Sequence, residues 1–436
     1  MRLGLVCAAW WASACYRPTA QVGLPCSPNH TCPGAQVCDL GQSPPICVDE
    51  LVDAGAGADG PPIVVCTTNT ECSIDAPICD PEDKVCRPCV ADADCDGACH
   101  ELTGRCVAEA NILYVTPSGT NNSTCTKATP CVSVDVALQH VSTTRSFIRV
   151  ADGVYTDDWN FKQQGGLGGA SAIISGTDLD PAGAEFSPTL SNLGTDGNTT
   201  LVLEGVTIRN PQQSGLVVRG MATVSHVLVD RVPSTGIEVR PAGTLVVLDS
   251  RIQNGQGVGI SSANSVEVQR SQLLGNTGGG ITATGAFTIL NTVIANNGTP
   301  LAGTFGGARL VPAVGKPAVF RFNTVTKNAG GSVAAGVQCD AAISVEDSIV
   351  HGNMGLLFPE LGASCAPSYC LLATAPATGN NVQGNPMFVN AASDFHVLAG
   401  SPAIDMADPA ATETMDFEGG PRPRGSRRDI GADEQP

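Results

Sequence analysis

The chain has 436 residues, a formal charge of −18, 50 Gly, 30 Pro and 19 Cys, but only 15% charged and 4% aromatic residues. Forty-two per cent hydrophobic content is enough for a core, whereas 23 Lys and Arg against 41 Asp and Glu exclude a generic nucleic-acid binder, which needs cationic surface to release counterions. No apolar run reaches the roughly 18 residues of a membrane-spanning helix, and the cysteine count argues against a reducing compartment.

Acid and sulfur are unevenly placed. Residues 1–110 carry 15 acidic against 5 basic side chains and hold 14 of the 19 Cys. The rest is Gly-rich and close to neutral for its size. Met1 and Arg2 make a short positive start. Leu3 to Ala14 is an apolar stretch too short to cross a bilayer but suited to a signal peptide, residues 1–14. It ends Ala12-Ser13-Ala14-Cys15, which resembles the bacterial lipobox. The resemblance implies a lipid anchor on Cys15, and Tyr16 rather than Asp after it favours the outer membrane. Ala12 stands where Leu is usual, and Ala12-x-Ala14 also fits ordinary signal-peptidase cleavage, so plain secretion is the alternative.

Three sets of four cysteines follow: Cys26, Cys32, Cys38 and Cys47; Cys66, Cys72, Cys79 and Cys86; Cys89, Cys95, Cys99 and Cys106. Each opens C-x5-C. Units of about twenty residues with few large apolar side chains cannot hold themselves by burial and need staples. Each bridge contributes roughly 2–4 kcal/mol. Spacing leaves three pairings open per set. The sets are similar to Cys-rich repeats of bacterial surface proteins and read as a stalk-like head: module one at 15–48, an acidic flexible linker at 49–65, modules two and three at 66–108. Zinc is the rival for the cysteines, but only Cys86 and Cys89 have knuckle spacing and they belong to different sets. Asp92, Asp94, Asp96 and Gly97 match the first half of a calcium loop, yet Thr103 stands where a bidentate Glu belongs. The expectation is therefore no cofactor, with calcium at Asp92–Asp96 as the alternative.

From residue 111 the chain repeats. Reference positions fall at Gly205, His226, Asp249, Arg270, Asn291, Asn323 and Asp347. Four residues earlier stand Leu201, Ala222, Leu245, Val266, Phe287, Val319 and Ile343; two earlier stand Leu203, Val224, Val247, Val268, Ile289, Arg321 and Val345. Alternation with period two marks a strand with one buried face. Three after the reference the residue is again aliphatic in six of seven coils, and ten after it come Gly215, Gly236, Gly259 and Gly280. A coil of about 21 residues with short strands and Gly corners is a parallel β-solenoid. Five after the reference lie Asn210, Arg231, Asn254, Gly275, Asn296, Asn328 and Gly352, read as left-handed corners with stacked amides.

The body, residues 111–390, resembles the right-handed parallel β-helix proteins of the pectin-lyase-like group. So do the start, Tyr114-Val115-Thr116-Pro117-Ser118-Gly119, the loop between Cys125 and Cys131, and Ile148 to Tyr155. The resemblance implies an all-β, right-handed parallel β-helix entered through a disulfide-closed loop of Cys125 and Cys131 and a capping helix at about 133–140. The closing segment, residues 391–436, with Ser401-Pro402-Ala403-Ile404-Asp405, Asp416-Phe417-Glu418-Gly419, Pro421-Arg422-Pro423 and Asp429 to Glu434, is similar to the choice-of-anchor Q type of bacterial surface β-helix protein. There Asp405, Asp416, Asp429 and Arg422 read as end-cap salt bridges rather than catalysts. Arg422, Arg424, Arg427 and Arg428 form a local basic tail.

A lyase or hydrolase of that group needs clustered carboxylates on an outward strand row. After the corner glycines the outward positions are Val217 and Arg219, Glu238 and Arg240, Ser261 and Ala263, Thr282 and Thr284. Arg219, Glu238 and Arg240 are a candidate surface-binding set, without a carboxylate cluster. His226, Asp249, Arg251 and Arg270 read as surface charges where the coils turn. Cys339, Cys365 and Cys370 leave one thiol over; Cys339 is expected to bridge one of the other two. The catalytic residues are not assigned. The functional expectation is an exported surface protein that binds polysaccharide or a protein partner without catalysis, touching membrane only through its lipid. A polysaccharide lyase or glycosidase and a purely structural envelope protein are the alternatives.

Overall fold

The computed structural model describes residues 66–162, 170–188, 193–210, 212–301, 304–331, 333–355, 360–374, 376 and 378–435, and the backbone of two short strands, Val37–Asp39 and Ile46–Val48. Those two strands form an antiparallel pair with Cys38 opposite Cys47. They lie in a unit of their own, Met1–Ile63. The signal peptide, Cys15, Cys26, Cys32 and the linker lie outside the described residues, as does the pairing of Cys38 and Cys47.

Residues 64–436 form the second unit. Its body is a parallel β-solenoid with three strand faces per coil. The first face carries the alternating strands, for example Met221–Ser225, Thr244–Leu248 and Ser265–Gln269. The second runs from Gly153–Tyr155 to Val382–Gln383 in eleven parallel strands. The third follows the corner glycines, as at Ile237–Val239 and Ile260–Ser262. Register keeps like over like: Leu203, Val224, Val247, Val268 and Ile289 are successive partners along one column, all buried. Parallel pairing at about 4.8 Å leaves each interior side chain packed between its neighbours one coil away.

First and second faces meet at a single residue held left-handed: His226, Asp249, Arg270, Asn291, Phe322 and Asp347 have φ between 45° and 53°. One residue turns the chain there, so a strained backbone is repeated in every coil. The sixth of the reference coils corrects the expected register. Its corner is Phe322, not Asn323. Phe320 and Ala318 face inward and Arg321 and Val319 outward, which restores the alternation that Arg321 had broken.

The second left-handed corner lies at Arg231, Asn254, Gly275, Asn296 and Gly352 as expected, while Lys327 takes the place of Asn328, and Asn210 is buried with its amide bonded within its own turn. The stacked amides are one residue further on. Asn276 Nδ2 donates to Asn297 Oδ1 (3.1 Å), Asn297 to Asn328 (3.0 Å) and Asn328 to Asn353 (2.9 Å). Each Nδ2 also donates to a carbonyl, and each Oδ1 accepts a backbone amide of the neighbouring coil. All four are buried. Asn254 and Asn296 instead turn outward, to Asp230 and to the Ala392 carbonyl. A second column, Ser250, Ser271, Thr292, Asn323 and Ser348, follows the first corner, and all but Thr292 accept an amide of the neighbouring coil. Cys370 ends that column. Its thiol bonds the Val345 carbonyl, and burial pushes it up to about 12.

The bridges follow one rule in both described modules, first to third and second to fourth: Cys66–Cys79 and Cys72–Cys86, then Cys89–Cys99 and Cys95–Cys106. All eight cysteines of these two modules are paired with one another. Cys125–Cys131 closes its loop, and Cys339–Cys365 leaves Cys370 as the free thiol. The entry helix is Val134–Leu138, capped by Ser133.

Module three is not a free bead of a stalk. Ala98 packs with Ile112 and Phe147 on the outer side of the first face. Arg149 reaches from the solenoid to the Cys99 carbonyl (2.8 Å) and pairs with Asp92. His100 lies 3.3 Å from the fully buried Glu204. Asp92 also accepts the Cys99 amide, and Asp94 takes Arg87 and the Val90 amide. Two carboxylates of the calcium alternative are thus directed at protein donors.

The closing segment folds back along the second face of the later coils rather than ending the solenoid. Val397, Ala403, Ala407 and Ile430 pack on Phe322, Ile349 and Leu371; Phe395 and Phe417 pack on Leu274 and Val293. Arg422 is buried, 4.5 Å above the Phe322 ring, and donates to the carbonyls of Asp429, Gly431, Ala432 and Asp433. Its Nε lies 3.5 Å from buried Glu434.

Docking this strap buries several acids. Burial raises Asp347 from 3.8 to about 6, and pushes Asp429, Asp433 and Glu434 upward as well. A carboxyl with a raised folded value binds its proton more tightly when folded. Its contribution is best below the unfolded value and worsens as pH rises through the folded one. The melting temperature is therefore expected to be higher at pH 5 than at pH 7.5. Asp347 would account for on the order of 1 kcal/mol of that difference, and Asp347→Asn would flatten the profile. A melting temperature rising from pH 5 to 7.5 in the wild type would contradict it.

Candidate binding cleft

One-residue corners place their side chains in a column at the edge between first and second faces, one coil apart. Three of them, His226, Asp249 and Arg270, line a cleft of about 490 Å³. Arg251 and Gln272, on the second face, form its floor with Val227, Leu228 and Ser250. Leu179 and Pro181, from the loop before the strand Ala184–Phe186, bound one end. Phe417 and Glu418 of the strap bound the other.

Its charges are unequal. Arg270 donates two hydrogen bonds of 2.7 Å to Asp249, one to each oxygen, which hold the guanidinium above its ordinary value. His226 Nδ1 lies 2.9 Å from Ser225 Oγ. Arg251 is exposed and, among the described residues, makes no ion pair. Its neighbours differ: Arg209 is shared by Glu185 and Asp230. Burial pushes Asp230 up, but bonds from Asn254, Arg209 and Gln253 outweigh it and hold the carboxyl low. At the mouth, Glu418 lies 3.2 Å from His396 Nε2, whose other nitrogen faces Asp394. The cleft thus offers one uncommitted cation, a neutralised ion pair, amide and imidazole donors, and the apolar surfaces of Leu179, Pro181 and Phe417.

Arg219, Glu238 and Arg240 lie elsewhere, on and just after the third face. Arg240 pairs with Glu238 at 3.1 Å, and Val217, outward by alternation, is buried. The structure brings together His226, Asp249, Arg251 and Arg270, which the sequence shows only as turn charges. It adds Phe417 and Glu418, about 150 residues distant, for which no local sequence signal exists.

The outward carboxylates of the coils are mostly engaged. Asp249 is held by Arg270, Asp340 by Arg309, Glu346 by Arg321, Asp230 by Arg209 and Glu238 by Arg240. Most of these pairs join adjacent coils. Glu346 sits low because Arg321 outweighs the effect of burial.

Residues 192–386 match the family model described as right handed beta helix region. Among solved structures, the chain is similar to pectate lyase Pel9A, with 15% identity and a TM-score of 0.50, over 74% of this chain and 96% of that one. A rhamnogalacturonan lyase is matched at 11% identity and a TM-score of 0.29, over 63% and 85%. The likeness to the pectate lyase is one of fold. No curated protein sequence matches the chain.

Proposed function

We propose that this right-handed β-helix protein is an exported, Cys15-anchored surface protein that binds an acidic polysaccharide in the cleft at Arg251 without cleaving it. The bridges Cys66–Cys79, Cys72–Cys86, Cys89–Cys99 and Cys95–Cys106 support export, since such staples persist outside reducing compartments. The observation that carries binding is the pairing of charges. The coil carboxylates Asp249 and Asp230 are neutralised by arginines of adjacent coils and Glu418 at the mouth faces His396, whereas Arg251 makes no ion pair among the described residues. Acid–base cleavage needs a carboxylate or base poised near the working pH and free to move a proton. A carboxylate locked to an arginine serves as scaffold. A guanidinium beside apolar surface and hydrogen-bond donors suits a uronate: the carboxylate takes the charge and the ring face the apolar wall.

Calorimetry with a homogalacturonan octamer tests this. Arg251→Ala is expected to weaken binding about tenfold or more, the loss of one charge-assisted contact. The neutral maltooctaose is expected not to bind, and no ultraviolet absorbance of unsaturated products is expected to develop with calcium. Cleavage lost on mutating one surface carboxylate would establish the lyase reading instead. Absence of binding to either oligomer would leave the structural one.

A further inference from the structure

We propose that His396 makes ligand capture in this cleft pH-sensitive, strongest in mild acid and weaker as the solution becomes alkaline. This rests on the reading of the cleft as a site for an acidic saccharide. Both ring nitrogens of His396 face carboxylates: Nδ1 lies 2.5 Å from Asp394 Oδ1 and Nε2 3.2 Å from Glu418 Oε2. A neutral imidazole carries one N–H, so only the imidazolium can donate to both. Asp394 comes from the same hairpin strand, Asp394–Val397, and also accepts the His396 amide. Glu418 comes from the strap beside Phe417, whose ring lies 5.3 Å from the imidazole. The remaining charged group facing His396 is Asp433, which accepts the Val397 amide and has Asp416 and Arg422 around it. Arg422 is itself held by Glu434. The surroundings of the imidazole are therefore anionic. Burial pulls it down, but the bonds to Asp394 and Glu418 more than offset this, and it sits above its ordinary value.

When the proton leaves, the hydrogen stays on the nitrogen nearer its acceptor, Nδ1. Nε2 then turns a lone pair toward Glu418. Glu418 is the freer partner, with 60% of its side chain exposed against 41% for Asp394. It loses its counter-charge and stands as a bare carboxylate at the mouth of the cleft. With Asp249 already cancelling Arg270, that charge opposes Arg251, the cation that draws in an anionic sugar.

The test is calorimetry of the full chain with the homogalacturonan octamer at pH 5.5 and 8.0, at fixed ionic strength. The wild type is expected to bind about three- to tenfold more weakly at pH 8.0, the range of a partly exposed charge pair. Glu418→Gln is expected to bind at both pH values as the wild type does at pH 5.5. His396→Gln is expected to bind at both as the wild type does at pH 8.0. His140 lies outside the cleft lining, so His140→Gln is the control and is expected to keep the pH ratio. Wild-type binding with equal affinity at both pH values, or an undiminished ratio in His396→Gln, overturns this proposal and leaves the binding site standing. Absence of binding at both pH values overturns both.

Discussion

Replacing Arg422 by Met is expected to release the C-terminal strap and to lower stability by about 3–5 kcal/mol, the cost of breaking a buried ion pair by removing one partner. Arg422 closes four carbonyls and faces Glu434, and both side chains are fully buried. Methionine fills much of the volume over Phe322 but donates nothing, so the four carbonyls lose their donor and Glu434, still holding the Arg424 and Asp429 amides, is buried without its counter-charge. Limited proteolysis should then cut within 391–436 under conditions that leave the wild type intact, and the denaturation midpoint should fall. Arg422→Met combined with Glu434→Gln should recover part of the loss, because the stranded charge is gone. An unchanged midpoint and protease pattern in the single variant would show that the apolar contacts of Val397, Ala403 and Ile430 hold the strap by themselves.

The second large effect is expected in the amide ladder. Asn297→Ala removes a side chain that accepts the Asn276 amide and side chain and donates to Leu273 and Asn328. The coils on both sides lose partners at once in a place water does not reach. A loss of about 3 kcal/mol follows from one or two stranded polar groups. Asn254→Gly is the contrast. Asn254 is an exposed corner with φ 56°, which glycine adopts freely. Its loss is expected to stay below about 1 kcal/mol. Equal effects in the two variants would mean that the ladder is incidental to stability. Since neighbouring coils of a solenoid can unfold separately, midpoints from two probes are the safer measure.

The fold was legible because its faces have different periods. Alternation at Leu201 and Leu203, repeated at Ala222 and Val224, admits a strand and not a helix, and the spacing of 21 admits a coil. The slip at Asn323 has a physical cause. The coil from Asn291 to Phe322 is about ten residues longer, and Asn is the commoner left-handed residue, so Asn323 is the more natural corner by composition. The protein uses an aromatic there because Phe322 is covered by Arg422, a partner a hundred residues on. The ladder was misplaced by one residue for a related reason. Asn254 and Asn296 carry the expected residue at the corner, while the buried amides that bond from coil to coil begin only at Asn276. The cleft was half legible. Its Asp249 and Arg270 lie one coil apart and declare a pair, but Phe417 and Glu418 reach it only through tertiary docking of the strap. Module three is a similar case. Arg149 and Glu204 look like ordinary strand residues until Asp92 and His100 are laid over them.

The most direct test of the central claim is a crystal structure of the full chain with a homogalacturonan octamer. The account predicts an intact oligomer in the cleft, with a uronate carboxylate on Arg251, a sugar face against Phe417, and the Asp249–Arg270 pair unbroken. An oligomer seated on the third face at Arg219, Glu238 and Arg240, or one cleaved within the cleft, would contradict it.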